Sequence, residues 1–264
     1  MRDRATGAPG KRIYGMQSMR PGAAAFLLVA ALFTAPPPAR SEVWATLSGR
    51  PDVIQPILYL AAARPAARVI LFNGGDGALA QMDDSFLMRE RGRFYAADMT
   101  VAVPDTPSDH PGGFGPLFRT WPEHVADIAA VVSFLKEQSS TPIYVVGTSN
   151  GTISAANVAA RLGPGAVAGV VLTSSVWLGG LGDVPVEKIA VPVLVIHNRN
   201  DICPASPFGF AEGSLPRFVA SPKKEFIGVV GPPVKSEPCG PHSPHDFYGV
   251  DGQVIDEILA WFRR

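Results

Sequence analysis

From residue 42 onward, short β-branched runs alternate with stretches of helical period, and this alternation restricts the fold more than any other feature of the chain. The runs at 43–47, 53–60, 68–72, 99–103, 142–146, 166–172, 191–196 and 225–230 read as strands. Helices are expected at 83–91, 122–136, 152–162 and 254–261. In the second of these, Val125, Ile128, Ala129, Val132 and Leu135 fall on one face, and Pro122 suits the first helical turn. The first two strands precede any helix and can pair as a hairpin. The remaining alternation calls for a mostly parallel sheet covered by helices on both faces. A single α/β domain of about eight strands over residues 42–264 is therefore expected. Ligands of such sheets bind beyond the carboxyl ends of the strands, so chemistry is to be sought in the segments that follow them.

The first 41 residues read differently. A cationic stretch leads to the uncharged run AAAFLLVAALFTA at 23–35, three prolines follow, and Ala39-Arg40-Ser41 supplies small residues at signal-peptidase spacing. This is the pattern of a signal peptide cut near Ser41, with Met16 and Met19 as alternative starts. The apolar run is short for a membrane span, and an uncut anchor is the competing reading. The segment holds six of the 23 basic residues and one of the 23 acidic ones, leaving the remainder acidic by about five charges. That balance, with no basic run and no zinc-ligand spacing, argues against nucleic acid as a partner. An exported chain also permits Cys203 and Cys239 to pair as a disulfide.

The residues with the clearest chemistry are Gly147-Thr148-Ser149-Asn150-Gly151. This G-x-S-x-G follows an expected strand and opens an expected helix, the setting a nucleophile elbow requires. The turn holds the serine at a strained backbone position, glycines two residues away on either side avoid clashes, and the helix N-terminus favours developing negative charge. A serine hydroxyl needs a base, and the base an orienting acid. Asp201, in the His197–Asp201 stretch after the run at 191–196, is the expected acid, with Asp183 as competitor. His245, between the last strand and the last helix, is the expected base, ahead of its neighbour His242. His197 ends an apolar strand, and it and His124 read as structural. For the oxyanion hole, one backbone N–H should come from Asn150. The other should come from the Asn73-Gly74-Gly75-Asp76-Gly77 loop, with Gly75 preferred over Asp76.

On these motifs the chain resembles the α/β-hydrolase superfamily over nearly all of residues 42–264, and within it small exported bacterial serine hydrolases. Asn73–Gly77 resembles that family's His-Gly oxyanion loop with Asn in place of His, and His245-Asp246-Phe247 resembles its His-Gly-Phe ending with Asp in place of Gly. The resemblance implies hydrolysis of a carboxylic ester through an acyl-Ser149 intermediate, with His245 and Asp201 completing the triad. It implies no metal or organic cofactor and a small ester or acyl compound as substrate. A non-catalytic binding protein on this fold, and acyl transfer or another hydrolysis by the same triad, are the alternatives. Only about twenty residues separate the strand ending near Leu172 from the next, which leaves no room for a cap domain. The site should be open, with Trp177 and Phe114 as wall residues. Because the loops of Asp201 and His245 must meet, Cys203 and Cys239 should meet with them, and a disulfide between them would tie the two loops.

Overall fold

A computed structural model describes residues 42–233 and 236–264. The signal segment expected at 1–41 lies outside these residues. The described chain forms one eight-stranded sheet in the order β1-β2-β4-β3-β5-β6-β7-β8. The strands are β1 (Glu42–Arg50), β2 (Val53–Leu60), β3 (Ala67–Phe72), β4 (Met99–Pro104), β5 (Ile143–Thr148), β6 (Gly169–Thr173), β7 (Val193–Asn198) and β8 (Lys224–Val229). The helices are α1 (Phe86–Ala96), α2 (Pro122–Gln138), α3 (Gly151–Leu162), α4 (Phe208–Glu212) and α5 (Asp251–Phe262).

β1 and β2 form the expected hairpin: Arg50 pairs with Val53 across a turn in which Asp52 takes φ 60°. β2 is antiparallel to both neighbours, and every pairing from β4 to β8 is parallel. The parallel strands are continuous apolar runs because both faces are covered, and the strand period of two deals their side chains to two cores. Ile70, Phe72, Val145, Val193 and Val195 join the core under α2 and α3. Val69, Leu71, Val146, Leu194 and Ile196 join the core under α1 and α5. Burying each such side chain fully is worth about 1.5–3 kcal/mol.

The sequence pattern misplaces the start of one helix and gives no span for another. α1 begins at Phe86 instead of 83, because residues 79–85 are taken up by a 3-10 turn and a second reverse turn, Ser85 N–H donating to the Met82 carbonyl. α4, expected only as a helix near Ala205, has no span in the sequence pattern because five residues are too few for a helical period to show. Between β6 and β7 the chain makes only two 3-10 turns, Leu181–Asp183 and Val186–Lys188, so no cap covers the sheet edge there.

Candidate active site

The elbow is built by backbone crowding. Gly147 ends the approach along β5, and a Cβ there would lie 2.3 Å from the Gly151 carbonyl oxygen. A Cβ on Gly151 would lie 2.0 Å from the Phe72 carbonyl oxygen. No side chain fits at either place, so strand and helix approach closely enough to force the turn between them. Ser149 takes φ 52°, the left-handed region, and its N–H donates to the Thr173 carbonyl at 3.0 Å. Strain of this kind persists only where the surroundings over-determine it. The Thr152 side chain donates to the Ser149 carbonyl at 2.6 Å and locks the first turn of α3.

Ser149 and His245 line one cavity of about 200 Å³, together with Gly74, Gly75, Met82 and Pro241. His245 lies in a 3-10 turn, Pro244–Asp246, capped by the Ser243 side chain. Phe247 follows in the left-handed region, fully buried against Phe86 at 5.0 Å between ring centres. Ser174 Oγ donates to the His245 carbonyl at 2.5 Å. Asp246, the departure from a glycine, caps α1 from across the fold. Its Oδ1 accepts from Phe86 N–H at 3.0 Å and its Oδ2 from Arg89 at 2.6 Å. Burial raises the Asp246 carboxyl, against the pull of Phe86 N–H and Arg89.

His245 Nδ1 stands 2.9 Å from Asp201 Oδ2. Ser206 Oγ donates to the same carboxylate oxygen at 2.9 Å and lies 2.8 Å from Nδ1, so the ring N–H is shared between hydroxyl and carboxylate. His197 Nε2 is 3.1 Å from Asp201 Oδ2 and 2.9 Å from the Ser206 carbonyl. Cys203 N–H donates to Asp201 Oδ1 at 2.8 Å. Burial works to raise the Asp201 carboxyl, but the hydrogen bonds from His197 and His245, with the His245 charge and Cys203 N–H, outweigh it and hold the group below the usual carboxylate range. Asp183 lies exposed in its 3-10 turn and takes no part. His242 points elsewhere: its Nε2 is 2.9 Å from Asp84 Oδ2 and its ring abuts Tyr248.

Three expectations need correction. His245 Nε2 is buried with no hydrogen-bond partner among the described residues, so the expected bond to the Ser149 hydroxyl is not made. Such bonds are often long until substrate arrives. Trp177 is not a wall of the cavity: it is 3% exposed in the core, packed on Phe218 at 6.1 Å with Arg217 over its ring. Phe114 is likewise buried, its ring covered by Phe118, His124 and the Arg119 guanidinium. Both aromatics are drawn inward because burial of their large apolar area outweighs any role at the rim. The cavity wall comes instead from Met82 and Pro241, on loops with no sequence signal.

The disulfide is present. Cys203 and Cys239 are bonded, with Cα atoms 4.8 Å apart, and Cys239 lines the cavity. In the Asn73–Gly77 loop, Gly75 takes φ 51° and borders the cavity. A Cβ on Gly74 would lie 2.9 Å from Ser149 Cβ, so glycine is needed for the loop to come this close to Ser149. The Asn150 side chain donates to the Gly75 carbonyl at 3.0 Å, tying elbow to loop. Neither the Asn150 nor the Gly75 backbone N–H donates to another group among the described residues. Asn73 is buried and accepts from Ser85 Oγ at 3.3 Å, bracing the base of the loop. Ser206, Arg119 and the His197 contact to Asp201 escaped the sequence reading. Only His197, four residues before Asp201, carried any signal.

Neither a family model nor a curated protein matches the sequence. Solved structures do match the fold. An esterase of Pyrococcus furiosus superposes with a TM-score of 0.65 at 14% identity, over 85% of this chain and 91% of that one. Est1E from Butyrivibrio proteoclasticus, also solved with ferulic acid bound, gives 0.63 at 12% identity over 84% and 98%. Dienelactone hydrolase from Anabaena variabilis gives 0.60 at 15% identity over 85% and 97%. With its eight-stranded sheet, its serine at the turn from β5 into α3 and these structural neighbours, the chain has the α/β-hydrolase fold.

Proposed function

We propose that the chain is an exported serine hydrolase that cleaves short carboxylic esters, with Ser149 as nucleophile, His245 as general base and acid, and Asp201 orienting the imidazole. The observation that carries this reading is the unshared Nε2 of His245. Its Nδ1 is engaged by Asp201, while Nε2 has no partner and belongs to a ring lining the cavity of Ser149. That leaves Nε2 free to take a proton.

In acylation, Nε2 removes the Ser149 proton as Oγ attacks the ester carbonyl. The carbonyl oxygen becomes an oxyanion facing the N–H groups of Asn150 and Gly75. His245, now an imidazolium stabilised by the Asp201 carboxylate, gives its proton to the leaving alcohol as the C–O bond breaks. Water then attacks the acyl-enzyme with Nε2 as base, and the proton returns to Ser149 Oγ as the acid leaves. A cavity of about 200 Å³ falls below the usual ligand-pocket range, which favours short acyl groups. The disulfide and the sequence of residues 23–41 support an exported protein.

The test is covalent labelling of the purified protein by a fluorophosphonate, with hydrolysis of a panel from p-nitrophenyl acetate to methyl ferulate. Labelling that vanishes in Ser149→Ala is expected, as is a fall in rate with acyl length. Folded protein that neither labels nor turns over any ester would favour the binding protein instead.

A further inference from the structure

Arg119 is a cation where cations are rarely found. It sits in a 3-10 turn, Phe118–Thr120, just before α2, and is 1% exposed, among the largest fully buried side chains. No carboxylate lies within ion-pair distance of it among the described residues. Burial pushes the guanidinium down to about 9, with Asp76 pulling the other way. Burying an unpaired charge is expensive, and an apolar or amide side chain would fill this space at lower cost. Its contacts show what the charge does. Nη2 donates to the Gly74 and Gly75 carbonyls at 3.3 Å each, and Nη1 to Ser154 Oγ at 2.9 Å. Ser154 Oγ is also 2.9 Å from His124 Nε2, and Phe114 stacks on the guanidinium at 4.8 Å. The Arg119 carbonyl is held in turn by Asn157 Nδ2 at 3.0 Å.

The planarity of the peptide gives these contacts a consequence. In a trans peptide the C=O and the next N–H point in opposite directions. The Gly74 carbonyl accepts from Gly77 N–H at 3.2 Å as well as from Arg119, and with it drawn inward the Gly75 N–H faces away from Arg119, on the side where Gly75 borders the cavity. We propose that Arg119 is the positioning residue of the oxyanion loop, turning the Gly74–Gly75 peptide so that its N–H meets the substrate oxygen and lending its charge to the oxyanion that forms there. This rests on the serine-hydrolase reading above. The charge acts through a dry, polarised peptide rather than through water, so it is felt most when the carbonyl oxygen turns negative.

The experiment compares wild type with Arg119→Met and Arg119→Lys on the best ester found. Removal of one oxyanion donor elsewhere costs roughly 10²–10³ in kcat, and Arg119→Met should approach that loss with KM changed less than about threefold. Arg119→Lys keeps the charge without the fork and should recover part of it. It also keeps the proposal testable if the methionine variant does not fold. An aldehyde or boronic acid carrying the substrate's acyl chain forms an adduct that mimics the tetrahedral oxyanion, and its affinity should fall in parallel with kcat/KM. Binding of the matching amide, a ground-state analogue, should hold. Folded variants with kcat and boronate affinity near wild type overturn the proposal, as does a loss confined to KM. A wild-type protein that shows no labelling or turnover overturns the hydrolase reading as well, which separates the two failures.

Discussion

Breaking the Cys203–Cys239 bond tests how the loops that carry Asp201 and His245 are held. The bond closes a loop of 36 residues, for which the chain-entropy relation gives about 4 kcal/mol at 25 °C. For a domain of this size each kcal/mol moves Tm by about 2–4 °C, so the Cys203→Ser, Cys239→Ser double variant should melt about 8–16 °C lower. The effect should not stop at stability. Cys203 N–H holds Asp201 Oδ1 at 2.8 Å and Cys239 lines the cavity, so freeing the loops loosens both the orientation of His245 and the wall of the site. Calorimetry of wild type with and without reductant, beside the double variant, reads the first effect. Ester turnover measured well below both melting points reads the second, with a loss of tenfold or more expected. A Tm within 2 °C of wild type and unchanged turnover would show that hydrogen bonds alone keep the loops in register, and the reasoning would fail.

Three further outcomes follow from the geometry. Gly151→Ala places a methyl 2.0 Å from the Phe72 carbonyl oxygen, with only backbone to give way, and should cost more than about 3 kcal/mol in urea unfolding or prevent folding. Asp201→Asn should cut turnover by about 10⁴, since an amide cannot hold the base-competent tautomer of His245 as a carboxylate does; loss of less than tenfold would mean another group orients the ring. His124 is lowered to about 3 by burial, helped by the charges of Arg119 and Arg50. Below its unfolded value near 6.5 the unfolded chain takes up a proton that the folded chain refuses. Stability is therefore intact above that pH and falls by up to about 1.4 kcal/mol per unit as pH drops toward 3. Denaturation at a series of pH values should show this slope in wild type and a shallower one in His124→Gln.

The strand runs and most helices are legible in the sequence because each is a local pattern. Ile70 and Val69 differ by one position and therefore face opposite cores, whatever the rest of the chain does. The elbow at Ser149 is legible for a related reason: Gly147 and Gly151 record in two letters the crowding that forces the turn. The pairing of Cys203 with Cys239 followed once the loops after β7 and β8 were required to converge. What the sequence does not carry are contacts between segments that share no period and no motif. Ser206 reaches Asp201 and His245 only because residues 203–206 double back over β7. Met82 and Pro241 become the wall of the cavity, and Trp177 and Phe114 do not, because the competition for buried area is settled across the whole molecule. Nothing in the sequence sets Arg119 apart from the chain's other cations. Only the packing of Phe114, Ser154 and the Gly74–Gly75 peptide around it excludes water, and water is what would otherwise have made its charge cheap.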